Sequence, residues 1–121
     1  MDELIGRLVA NTGVDRTAAE KAVGIILQFL LKEGPAEKVK ALIDKLPGAE
    51  AAIAAAPADT GGGGIFGGGL MATGTRLMAA GLSMGQVQGV TRETIGYARE
   101  KAGEDVVGEI VGAIPGLGQF V

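Results

Sequence analysis

The chain has 121 residues, of which 47% are hydrophobic and 21% are charged, and it contains neither cysteine nor histidine. Its net charge of -3 gives no long-range field that would attract DNA, RNA or an anionic membrane, so nucleic acid is not an expected partner. The missing cysteine and histidine exclude a disulfide framework, a thiolate metal site and the commonest general base.

Apolar residues recur at helical spacing along the first half, which predicts an all-α fold. A first helix is predicted near residues 2 to 11, and Gly13 ends it. Its apolar positions are Leu4, Ile5, Leu8 and Val9. Asp15 is placed to cap a second helix, which ends at Gly34. The apolar face of this second helix includes Ala19, Ala22, Val23, Ile26, Leu27 and Leu30.

A third helix is predicted to begin with Pro35, followed by Glu37 in the first turn, and to stop at Pro47. Its apolar stripe consists of Val39, Leu42, Ile43 and Leu46. The alanine-rich run 48–56 predicts one or two further helical turns. Residues 57–69 then contain seven glycines around Ile65 and Phe66, a composition typical of a flexible linker. The two apolar residues could instead dock into a groove or mark a contact surface.

The second half predicts helices in the same order. A helix over 70–80 is followed by Ser83 and Gln86, which form a capping-box pattern for a long helix that runs to about Lys101. Gly103 separates it from a last helix, whose first turn is acidic and which ends at Pro115. The apolar stripe of this last helix is Val106, Val107, Ile110, Val111 and Ile114.

Residues 7–53 align with 76–121 when a single gap is allowed. The alignment pairs Arg7 with Arg76 and Leu42 with Ile110, and its hydrophobic and turn positions coincide throughout. This indicates an internal duplication. We therefore predict two related three-helix units, 1–56 and 70–121, packed as one helical domain and joined by the glycine-rich linker 57–69.

Five positions differ between the units in a consistent way. In the first unit they are polar and are predicted to face solvent: Thr17, Lys21, Gln28, Lys40 and Asp44. Their counterparts are Gly85, Gly89, Gly96, Gly108 and Gly112. Glycine inside a helix costs about 1 kcal/mol relative to alanine, but at four-residue spacing it lets another helix approach closely. These glycines are thus candidate contacts for the first unit, a second copy or a partner helix. The alternative is that this region simply tolerates glycine.

The residue patterns of the chain favour a non-enzymatic protein. The closest acidic pairs, Asp2 with Glu3 and Glu104 with Asp105, stand where helix N-termini ordinarily collect acids. The spacing of the glycines in 61–69 matches a dinucleotide motif only by chance, because no strand precedes it. We expect no catalytic residue, metal or cofactor. The leading interpretation is a helical interaction module that binds itself or a partner helix.

The alternative function is a peripheral lipid-binding or apolar-ligand-binding protein. Between Thr60 and Thr91 the only charged residue is Arg76. The candidate apolar contacts there are Ile65, Phe66, Leu70 and Met71. No run of about 20 strongly apolar residues exists to cross a bilayer, so membrane contact is not expected. The acidic start of the chain differs from a signal peptide, which predicts a cytoplasmic location.

Three segments also carry a family resemblance. The opening MDELIGRLV, the segment AEKAVGIILQFLLKEGPAEKV and the ending KAGEDVVGEIVGAIPGLGQFV are similar to the bacterial VcgC/VcgE-type proteins of unknown function. The resemblance covers nearly the whole chain. It implies a bacterial source and a helical repeat architecture, and it supplies no activity, substrate or catalytic residue.

Overall fold

A computed structural model describes residues 2–56, 69–114 and 117–119, without the side chains of 69–72 and of residue 119. The regular elements of the described residues are all helices and include no strand, so the all-α prediction is confirmed. The elements are α1 (Asp2–Thr12), α2 (Arg16–Glu33), α3 (Ala36–Asp44), α4 (Ala49–Ala55), α5 (Gly69–Ala79), α6 (Met84–Ala102), α7 (Glu104–Ala113) and a 3₁₀ turn (Leu117–Gln119).

The two long helices begin at the predicted caps. The Asp15 carboxylate accepts a hydrogen bond of 2.7 Å from the Ala18 backbone N–H at the start of α2. At the start of α6 the Ser83 backbone N–H donates to Gln86 Oε1 (3.0 Å), and the Gln86 backbone N–H donates to Ser83 Oγ (3.3 Å). These bonds satisfy N–H groups that lack partners within the helix.

Helix α3 is shorter than predicted. It ends at Asp44 rather than at Pro47, because the next two N–H groups bond to carbonyls three residues back: Lys45 to Leu42 and Leu46 to Ile43. This tighter turn keeps Leu46 buried at 3% exposure. Gly48 then takes a φ of 85°, a left-handed conformation that favours glycine, and α4 follows.

The core is one cluster with α2 at its centre. Helix α2 packs against α1, α3, α4, α5 and α6, and ten of its 18 residues are buried. The predicted apolar faces of α2 and α3 are all buried, as are Leu4, Ile5 and Leu8 of α1. Val9 is the exception, since 39% of it remains exposed.

The helices of the two halves pack crosswise. Helix α1 packs on α6, helix α5 packs on α2, and α3 packs on α7. The short helix α4 lies against α2. The described parts of the two halves therefore share one core instead of forming two separate ones.

Candidate interaction surface

Four of the five predicted contact glycines lie open in the described structure. No atom outside the local helix backbone comes within 4 Å of a Cβ built on Gly85, Gly96, Gly108 or Gly112. Gly85 lies in the first turn of α6 and Gly96 near its middle, whereas the other two lie on the exposed side of α7. No described helix of the same chain packs onto these four positions.

The fifth glycine, Gly89, is covered by α1. A Cβ on Gly89 would lie 2.9 Å from Thr12 Cγ2, so the last turn of α1 depends on a small residue here. The contact is fixed by Gln86, whose Nε2 donates to the Thr12 carbonyl at 3.2 Å. Helix α1 of the first half therefore approaches α6 closely at Gly89.

A closer helix contact lies in the first half, at a glycine that the sequence analysis did not single out. A Cβ on Gly24 of α2 would come within 2.1 Å of the Ala52 carbonyl oxygen and 2.5 Å of Ala56 Cβ. The backbones of α2 and α4 are therefore in direct contact. The signal was a lone glycine within an apolar helical run, which often has a packing role.

Gln28 does not face solvent as predicted. It is half-buried, and its Nε2 donates to the Ile53 carbonyl of α4 at 3.0 Å. Its Oε1 accepts a hydrogen bond of 2.6 Å from Arg76 of α5. The prediction was wrong because α4 packs against this side of α2. The other four polar positions, Thr17, Lys21, Lys40 and Asp44, are exposed as predicted.

An ion-pair network joins α1 to α6. Arg7 donates hydrogen bonds to Glu100 of α6 and, at 3.0 Å, to Glu3 of α1. Its guanidinium carbon lies 5.4 Å from the centroid of the buried Tyr97 ring, and Lys101 Nζ lies at the same distance. The hydrogen bond between Arg7 and Glu100 raises the pKa of the arginine and lowers that of the carboxyl. This network links α1 of the first half to α6 of the second half at the surface.

The alternative apolar surface lies largely outside the residues that the structure describes. Ile65 and Phe66, and the side chains of Leu70 and Met71, lie outside the described residues. The structure has a cavity of about 40 Å³ beside helix α5. It is lined by Ile26, Phe29, Thr73, Gly74, Leu77, Val87, Thr91 and Leu117. An apolar cavity that holds benzene measures roughly 150 Å³, so this one is too small for a lipid chain.

The described residues show neither a metal site nor a membrane-spanning helix. They contain no group of three or more acidic side chains that could hold a metal ion. None of their helices is long and apolar enough to cross a membrane. The acidic pairs Asp2 with Glu3 and Glu104 with Asp105 occupy the first turns of α1 and α7, as predicted.

Comparisons of the chain with protein-family models, with curated proteins and with solved structures found no match.

Proposed function

We propose that this chain is a non-enzymatic helical interaction module that associates with a second copy of itself or with a partner helix. The proposed contact surface is the glycine face of the second half, formed by Gly85, Gly96, Gly108 and Gly112, with Gly89 at its edge beneath α1. The proposal includes an internal duplication, because a comparison of the halves identifies a surface of α6 that no described residue of the second half covers as α4 covers α2.

Three features support two related units, 1–56 and 70–121. Helices α2 and α6 begin 68 residues apart, and α3 and α7 are separated by the same interval. The aligned core residues Leu42 and Ile110 are both 0% exposed. The first helix of each half packs on the long helix of the other. Such reciprocity is expected of a fused, two-fold related pair.

The single observation that carries the interaction proposal is a difference between the two long helices. In the first half α4 covers α2 at Gly24 and Gln28. The aligned positions in α6 are Arg92 and Gly96, and the element aligned with α4 is the 3₁₀ turn Leu117–Gln119. Arg92 is exposed and Gly96 has an open Cβ position. A helix from a partner could therefore approach α6 at Gly96. The close backbone contact that α4 makes at Gly24 has no counterpart on α6, because Arg92 carries a long side chain.

The test is the solution mass of Gly96→Leu and Gly108→Leu, measured by light scattering beside the wild type. If either glycine lies in a contact between copies, leucine would overpack that contact, at a cost of about 1 to 3 kcal/mol. We expect a mass above that of the monomer in the wild type and a lower mass in these variants.

Gly6→Leu is the matched control, because Gly6 is an exposed helical glycine of α1 with an equally open Cβ position. It should keep the wild-type mass. Circular dichroism of all samples separates loss of association from loss of fold. If the wild type is a monomer, pull-down with the same three variants tests the partner-helix form. Equal mass and equal capture for all variants would remove the glycine face from the proposal.

A peripheral lipid-binding or apolar-ligand-binding role stays the alternative, with Ile65, Phe66, Leu70 and Met71 as its contacts. Vesicle flotation at physiological salt distinguishes it. We expect the protein to stay in the soluble fraction with neutral and anionic lipids, and flotation that is lost in Phe66→Ser would favour the alternative.

The proposal also includes the family type and the cellular location that the sequence predicts. The three segments that resemble VcgC/VcgE-type proteins support a bacterial helical-repeat protein. We also propose a cytoplasmic location.

A further inference from the structure

A groove of about 390 Å³ lies between α1, α2 and α4, on the first half of the molecule. Its apolar wall is formed by Ile5, Gly48, Ala51, Ala52 and Ala55. These small side chains leave room above α4, and the volume lies within the range of about 300 to 1,000 Å³ typical of ligand sites. The groove contains none of the glycines of the proposed contact face.

Two carboxylates stand at the rim of this groove. Asp2 and Glu20 both line the groove. Both form ion pairs with Arg16, which does not line the groove itself. Arg16 Nη2 lies 2.9 Å from Asp2 Oδ1, and Arg16 Nε lies 3.7 Å from Glu20 Oε1. The Asp2 side chain is 96% exposed and the Glu20 side chain is 50% exposed, so both carboxylates are open to solvent. The three charges sum to one negative charge, so an apolar wall is bordered by acceptors that favour a cation.

A lysine side chain matches both parts of this surface. Its aliphatic stem is apolar and its ammonium group has three hydrogen-bond donors, so such side chains bury the stem along apolar surface while the charge stays at the edge. Arginine has the same division between stem and head. A purely apolar ligand would leave the rim oxygens without a new partner, and an anion would be repelled by them.

We propose that this groove binds a lysine-bearing segment of a protein partner, with the lysine stem against Ala51, Ala52 and Ala55 and the ammonium between Asp2 and Glu20. The surface is on the opposite half from the glycine face, so the two proposals fail independently.

The experiment titrates the full chain with n-butylammonium, which reproduces a lysine side chain beyond Cα. Amide shifts of Ala51, Ala52 and Ala55 are followed by NMR, and n-butanol and butyrate are the uncharged and anionic probes. We expect saturable shifts with the ammonium, weaker binding of the alcohol and the weakest binding of butyrate. Exposed ion pairs contribute modestly, so Glu20→Gln should weaken ammonium binding about two- to fivefold.

Glu50→Gln is the matched control, because it removes a carboxylate from α4 that does not line the groove. It should bind n-butylammonium as the wild type does, and Asp2→Asn should behave like Glu20→Gln. Equal affinity for the alcohol and the ammonium, unchanged by Glu20→Gln, would overturn the proposal. The amide shifts of the three alanines are also followed as the protein concentration is raised without any probe. If they change, the proposal is overturned, since the occupant of the groove would then be a second copy.

Discussion

Gly24 of α2 lies so close to Ala52 of α4 that a Cβ on the glycine would come within 2.1 Å of the alanine carbonyl oxygen. The obstacle is backbone rather than a flexible side chain, so the two helices would have to separate to make room. Gln28, one turn further along α2, also contacts α4, because its side chain donates a hydrogen bond to the Ile53 carbonyl. The position of α4 therefore depends on the absence of a side chain at residue 24.

Gly24→Ala should destabilise the protein, although alanine is the better helix former. Overpacking of a tight contact costs about 1 to 3 kcal/mol, which exceeds the gain of about 1 kcal/mol from helix propensity. Urea unfolding measures the difference. Gly74→Ala is the matched control, because its Cβ position is open and the residue lines the small cavity beside α5. It should stabilise by up to about 1 kcal/mol, and an equal response of both variants would refute close packing at Gly24.

Leu42→Ala and Ile110→Ala should each destabilise by about 2 to 4 kcal/mol. Both side chains are 0% exposed, and removal of a large buried side chain loses apolar burial and leaves a cavity. Thermal or urea unfolding gives both values. Val9→Ala is a partly exposed comparison and should cost much less. A surface-like value at either core position would argue against the alignment of the two halves.

Glu100→Gln should reduce the loss of stability in acid. The hydrogen bond from Arg7 lowers the pKa of Glu100 in the folded state. The stabilisation is therefore complete above the unfolded pKa of about 4.3 and is lost as the pH falls through the folded value. Unfolding curves at pH 7 and pH 3 should differ less in the variant than in the wild type. Glu33→Gln, at the exposed end of α2, should retain the wild-type difference.

Asp15→Ala and Ser83→Ala should each lower stability by about 0.5 to 2 kcal/mol, because each removes a side chain that accepts a hydrogen bond from the first turn of a long helix. Glycine at either position should cost only a few tenths of a kcal/mol, since it also suits an N-cap. Denaturant unfolding of the four variants checks this order. If the alanine and glycine variants lose stability equally, the capping hydrogen bonds contribute little.

The helix ends and the core positions could be predicted from the sequence because their causes are local. Asp15 and the pair Ser83 and Gln86 cap their helices through bonds that span three residues, and Gly103 ends α6 with a φ of 94°. The apolar stripes of α2 and α3 are buried as their periodicity indicates. The end of α3 was predicted three residues late, at Pro47 instead of Asp44. The helix changes to a tighter turn before the proline is reached, because the N–H groups of residues 45 and 46 bond to carbonyls three residues back.

The sequence by itself determined that the described chain is helical, where its long helices begin and which stripes enter the core, since each follows from propensity, capping and periodicity. Only the tertiary structure decided which helices meet. Helix α4 packs against α2, and this packing produces the contact at Gly24 and the partial burial of Gln28. Gly96 and Gly108 are open because no described helix packs on them. A glycine at an open surface and a glycine beneath a neighbouring backbone look the same in a sequence, because the residue carries no information about what lies above it.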